Sequence, residues 1–235
     1  MHLKAIFLDF YGTLVHEDDE IIPGICEKIS FHSPQPVPVK VIGDHWWQQF
    51  FERFSSSYGT DFKPQRELEL EALRATIAHF KSDCNADEIV QPQFQHWMKP
   101  GIYEDTLPFL REFEYLPMYI LSNIDTSDIK AAMTFHDLKF TGVMTSEDVR
   151  AYKPRPELFE TALEKYGLAP EEAIHIGDSL RSDIEGAGAL GIQTIWLNRL
   201  NKQCPESNRP NFICKDLNEA REVIYSRLET GSDVV

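Results

Sequence analysis

Ala5-Ile6-Phe7-Leu8-Asp9-Phe10-Tyr11-Gly12-Thr13-Leu14 carries an apolar run that ends in a carboxylate and a turn. Four consecutive apolar residues read as a short buried strand, and Gly12-Thr13 supplies a turn shortly after it. A strand without polar alternation suits a parallel sheet covered on both faces. Such a strand delivers Asp9 to the carboxyl edge of the sheet, where open α/β folds keep their ligands. Asp9 is therefore the first candidate for chemistry.

Downstream, the same texture returns after Pro100-Gly101. Strands are expected near Met118–Leu121, Gly142–Thr145, Ala173–Ile176 and Thr194–Leu197. Helices are expected near Asp105–Tyr115, Ser127–Phe135, Pro156–Tyr166, Arg181–Leu190 and Leu217–Leu228. This alternation implies a Rossmann-like α/β fold, a parallel sheet sandwiched by helices. Between the first strand and that block the pattern is helical. Trp46 through Phe54 carries apolar residues at helical spacing, and Leu70, Leu73, Ile77 and Phe80 form a stripe. Ser33-Pro34-Gln35-Pro36-Val37-Pro38 reads as a rigid linker and Tyr58-Gly59 as a break. The acidic turn Glu17-Asp18-Asp19-Glu20 reads as a solvated loop. The expected division is a core of residues 1–15 and 100–235 with an all-helical insert of residues 16–99.

Three further motifs fall at the ends of expected elements. Ser122-Asn123 follows the second strand, Lys153-Pro154 precedes a helix, and Gly177-Asp178-Ser179-Leu180-Arg181-Ser182-Asp183 follows Ala173–Ile176. With Asp9 to Thr13 these resemble, in order, the four motifs of the haloacid dehalogenase-like hydrolase superfamily. The insert resembles the helical cap of its first subclass, which accompanies small-molecule substrates. One position departs from the superfamily's phosphatases: they carry a second Asp two residues after the first, where this chain has Tyr11.

The resemblance implies a hydrolase with Asp9 as nucleophile. A carboxylate nucleophile divides a hard hydrolysis into two displacements through a covalent intermediate; in family phosphatases that intermediate is an aspartyl phosphate. It further implies Mg²⁺ held by Asp9, Asp178 and the backbone carbonyl of Tyr11. Magnesium favours one or two carboxylates plus substrate phosphate. Ser122 and Lys153 would hold the transferred group, Gly12, Thr13 and Asn123 would line the substrate, and Asp183 would orient Lys153 or a metal-bound water. His175, inside a strand, is expected only to pack. Three functions are compatible with these residues: a magnesium-dependent phosphohydrolase of a small phosphorylated metabolite, a 2-haloacid dehalogenase, and a weakly catalytic metabolite-binding protein. Tyr11 matches the dehalogenase loop, but Trp47 stands where that branch aligns its halide-binding Arg, and the Asp178 motif is of phosphatase type.

Composition narrows the partners. A formal charge of −15 over 235 residues repels nucleic acid and anionic membrane surfaces. The same field means that an anionic substrate needs a local positive site. The four cysteines, Cys26, Cys84, Cys204 and Cys214, show no C-x-x-C spacing and read as reduced thiols of a cytoplasmic protein. No apolar run approaches about 18 residues, so no transmembrane helix is expected, and with the first strand so early no cleavable leader is expected either.

Overall fold

The computed structural model describes residues 3–205 and 210–229. Their contacts divide them into two compact units. The first contains His16 and the residues before it, Gly101–Asn123 and the chain from Lys139 onward; the second contains Glu17–Pro100 and Ile124–Leu138.

In the first unit, β1 (Ala5–Leu8), β2 (Met118–Ser122), β3 (Gly142–Thr145), β4 (Ala173–Gly177), β5 (Gln193–Leu197) and β6 (Phe212–Cys214) form one parallel sheet in the order β3-β2-β1-β4-β5-β6. This is the doubly wound order, whose chain reverses direction of growth beside β1. Leu8 is in register with Ile120 of β2 and Ile176 of β4, so the residues that follow these strands emerge side by side at one edge. All residues of β1, β2 and β4 are buried, which explains their unbroken apolar character. Phe7, Tyr119, Leu121 and Met144 pack on Leu158, Phe159 and Ala162 across one face.

The second unit is helical: α1 (Ile22–Phe31), α2 (Val39–Ser56), α3 (Gln65–His79), α4 (Ala86–Ile89) and α5 (Gln91–Met98). Ile42, Trp46 and Phe50 of α2 are buried, as are Leu68, Ala72, Leu73 and Ile77 of α3. The buried stripe of α3 runs through Leu68 and Ala72, leaving Leu70 and Phe80 half-buried. Alternation alone assigns residues 127–135 to the core, yet this segment, α7 (Thr126–Phe135), falls in the helical unit. The cause is local. The carboxylate of Asp125 accepts from the Gln65 and Arg66 N–H groups at 2.6 and 3.0 Å, capping α3, and Arg66 Nε reaches Asp128 at 2.7 Å.

The remaining core helices are α6 (Thr106–Glu112), α8 (Ser146–Val149), α9 (Glu157–Tyr166), α10 (Gly186–Gly188) and α11 (Leu217–Glu229). α9 has Glu157 and Glu160 in its first turn, where acidic residues complement the helix dipole, and stops at Gly167 with φ +63°. The helix expected over residues 181–190 is a correction. Leu180–Glu185 is a π-helical turn that passes into α10, because the Ser179 carbonyl receives both Asp183 N and Ile184 N, at 3.0 and 3.2 Å. Such wide turns are frequent at functional sites. No helix among the described residues is long and apolar enough to cross a membrane.

Candidate active site

The chain enters the site from β1. Asp9 extends the pairing of that strand by donating its N–H to Ile176 O at 2.9 Å, which fixes where its side chain begins. The loop then turns at Gly12, with φ +78°, a conformation that glycine adopts without steric cost. Gly12 N donates to Val15 O at 2.7 Å, and Phe10 O accepts from Leu14 N and Val15 N. Tyr11 is buried, its ring edge-on to Phe10 at 5.2 Å.

Lys153 supplies the cation. Its Nζ donates to Asp9 Oδ1 at 2.8 Å, Asp183 Oδ1 at 2.6 Å and Leu121 O at 2.7 Å. An ammonium has three protons, and three acceptors surround this one. Burial pulls the ammonium pKa down, but the Asp183 and Asp9 carboxylates override it and hold the pKa above the ordinary lysine range. The Asn123 amide meets the same loop: Oδ1 accepts from Lys153 N at 2.7 Å and Nδ2 donates to Lys153 O at 3.2 Å. It brackets the lysine backbone. Ser122 is buried at the end of β2 beside it.

β4 and the π turn bring in the other acids. Asp183 Oδ1 takes Lys153 and also His175 Nε2 at 2.9 Å, while Oδ2 takes Ser179 N at 3.0 Å. Burial acts against its charge, yet Lys153 and His175 more than offset this and hold the carboxyl well below the usual range. An ionised carboxylate can only accept, so His175 presents Nε2–H to it. Burial keeps His175 below its ordinary pKa despite that hydrogen bond. His175 therefore does more than pack. Its only signal in sequence is a polar residue in an otherwise apolar strand two residues before Gly177.

Asp178 sits differently. Its main-chain oxygen accepts from Trp196 Nε1 at 2.8 Å, and its carboxylate lies against Gly12. One oxygen from each of Asp9, Asp178 and Asp183 falls within 4.8 Å of the others. Burial pushes the Asp9 carboxyl up to about 6, with Lys153 opposing and Asp183 adding to the rise. Burial, with Asp9 and Asp183 beside it, also holds Asp178 well above the usual carboxylate range. Asp9 and Asp178 are thus short of positive charge. A hard divalent cation, which binds carboxylate oxygens, fits that donor set.

A family model described as haloacid dehalogenase-like hydrolase matches residues 3–191. The chain belongs to this family. Within the haloacid dehalogenase-like hydrolases its relatives fall on both sides of one chemical divide. A phosphoserine phosphatase of Thermus thermophilus is 31% identical over 141 residues, covering 57% of this chain and 55% of that one; the chain thus matches about half the length of that relative. An (S)-2-haloacid dehalogenase of Pseudomonas putida is 26% identical over 239 residues, covering 97% of this chain and 99% of that one. Among solved structures, an L-2-haloacid dehalogenase superposes with a TM-score of 0.79 at 19% identity, covering 96% of this chain and 100% of that one. That likeness establishes the shared fold.

Proposed function

We propose that the chain is a magnesium-dependent phosphohydrolase acting on a small phosphorylated metabolite through an aspartyl-phosphate on Asp9. The observation that carries this reading is Asp178, whose carboxylate shares an acidic group with Asp9 and Asp183. Displacement of halide from carbon has no task for a metal ligand at that position, whereas phosphoryl transfer does. Asp9, Asp178 and the Tyr11 carbonyl would hold Mg²⁺, which supplies charge neutralisation for the transferring group.

The chain's own residues account for the remaining chemistry. Asp9 attacks phosphorus as the bond to the leaving oxygen breaks, and water then attacks phosphorus to release phosphate and regenerate Asp9. Lys153 holds Asp9 at 2.8 Å and offers positive charge where equatorial oxygens develop. Asp183, which already accepts from Lys153, His175 and Ser179 N, fixes that ammonium. Ser122 offers a hydroxyl to the transferred group. The usual second carboxylate is replaced by Tyr11, whose reference pKa is about 10. A phenol can donate to a leaving oxygen but is a poor base for water, so the reading favours substrates with good leaving groups, acyl phosphates among them. The family's helical inserts of this subclass favour a metabolite-sized substrate.

The end-to-end match to an (S)-2-haloacid dehalogenase, together with Tyr11, favours a second reading in which Asp9 attacks carbon and halide departs. A turnover panel of phosphate esters, acyl phosphates and 2-chloropropionate, each with magnesium and with chelator, separates them. Magnesium-dependent phosphate release is expected. Chelator-insensitive dehalogenation without phosphate release would replace this proposal with the second reading.

A further inference from the structure

The nucleophile loop is held from behind by a residue that none of the four motifs contains. Arg199 lies two residues beyond β5 and 186 residues from Thr13, yet its Nη2 donates to Thr13 O at 2.8 Å. Both terminal nitrogens also engage Asp105, Nη1 to Oδ2 and Nη2 to Oδ1, each at 3.0 Å. The guanidinium carbon sits 3.8 Å above the Tyr103 ring. Asp105 in turn accepts from Leu217 N at 2.7 Å, at the start of α11. Both side chains are largely buried, 13% exposed for Arg199 and 8% for Asp105.

The position of that contact gives it meaning. The peptide joining Thr13 to Leu14 is held on both sides, its carbonyl by Arg199 and its N–H by Phe10 O at 2.8 Å. Leu14 O is held as well, by Thr106 Oγ1 at 2.7 Å and Tyr103 N at 3.2 Å. The orientation of the Thr13 peptide is thereby set one residue from Gly12, against which Asp178 rests, and four from Asp9. A buried ion pair by itself adds little net stability over an apolar replacement. What a guanidinium adds is direction: its planar fork can grip a carboxylate and a carbonyl at once.

We infer that Arg199, clamped by Asp105, is a positioning residue that fixes the Thr13 peptide and through it the geometry of the nucleophile loop. The inference rests on Asp9 being the reacting group of the proposed function, and applies whether Asp9 attacks phosphorus or carbon. A displacement of about 1 Å at such a loop can cost on the order of 10²-fold in rate.

The test compares the intact wild-type chain with Arg199→Ala, Arg199→Lys and Asp9→Asn. For Arg199→Ala, kcat should fall about 10- to 100-fold while KM stays within about threefold, and added guanidinium ion should restore part of kcat. Lysine, which cannot grip both acceptors, should fall between. Amide hydrogen exchange should accelerate in the peptide spanning residues 9–16 and remain unchanged in β2 and β4. The inference is overturned if Arg199→Ala keeps wild-type kcat while Asp9→Asn is inactive. A purely structural role, with faster exchange throughout the sheet and no guanidinium rescue, would overturn it too. If the wild type turns over nothing in the panel, the proposed function fails, and loop exchange alone decides the role of Arg199.

Discussion

Asp178 rests its carboxylate where a side chain on Gly12 would begin: a Cβ built there would lie 2.6 Å from Asp178 Cγ and 2.7 and 2.8 Å from its oxygens. The first and fourth motifs are thus fitted to each other by the absence of a methyl group. Gly12→Ala should drive Asp178 aside and also strain the loop, since φ there is +78°. The left-handed region costs a residue with a Cβ about 1–2 kcal/mol. Thermal unfolding should show that modest loss, while magnesium affinity by calorimetry and turnover should each fall at least tenfold. Unchanged magnesium binding would mean that Asp178 is not a ligand.

His175 should be needed as a hydrogen-bond donor. Leucine there would leave Asp183 with Lys153 and Ser179 N alone, removing one partner from a buried carboxylate. That change costs about 1–3 kcal/mol of stability and should lower kcat by releasing Lys153 from a single position. Glutamine, which keeps an N–H, should recover part of both. Equal kcat in wild type, His175→Leu and His175→Gln would return His175 to a packing role.

The helical unit carries a pH dependence of its own. Glu69 is buried in α3, and burial, with the charge of Asp18 beside it, pushes its carboxyl up to about 8. The folded chain therefore keeps a proton that the unfolded chain releases from the ordinary value of 4.5 upward. Stability from this group is complete below the unfolded pKa and is lost as pH rises, by about 1.4 kcal/mol per unit, until Glu69 ionises near 8. Glu69→Gln should flatten Tm between pH 5 and 8, about the window these values bound. Parallel Tm curves for wild type and variant would show that Glu69 is charged in the folded state.

Most of the sheet is legible because buried parallel strands are short apolar runs, and three of the four motifs lie at the end of one while Lys153-Pro154 precedes a helix. Asp9, Lys153, Asp178 and Asp183 come together for that reason. What escaped depends on register and on distant chain. His175 is distinguishable from a packed strand residue only once β4 lies beside the π turn that brings Asp183 to it. The short α8 and the edge strand β6, of three residues, carry too little pattern to stand out. Alternation places α7 in the core because it sees only local spacing, while the partners of Asp125 and Asp128, Gln65 and Arg66 at the start of α3, lie about sixty residues away in sequence. Glu69 was hidden because a carboxylate at a buried helix position looks, in sequence, like a solvated one.

Tyr11→Asp should act on the leaving group. General acid–base assistance is worth about 10²- to 10⁴-fold, and the gain here should fall below that range because the loop around Tyr11 is packed against Phe10. Alkyl phosphates, whose leaving oxygens need a proton, should gain more than aryl or acyl phosphates. For a dehalogenase the same change would place a second anion beside an anionic haloacid and lower activity. Equal effects on alkyl and aryl phosphates would show that residue 11 does not act at the leaving oxygen.

A phosphoryl group on Asp9 is visible by mass spectrometry of the peptide containing Asp9 after a denaturing quench during turnover. With magnesium and an acyl phosphate substrate, that peptide should carry a phosphoryl adduct that is absent with chelator and absent in Asp9→Asn. An unmodified peptide during steady phosphate release would remove Asp9 as nucleophile. An alkyl ester on Asp9 from 2-chloropropionate, with no phosphoryl adduct from any phosphate tested, would contradict the account and assign the chain to carbon–halogen hydrolysis.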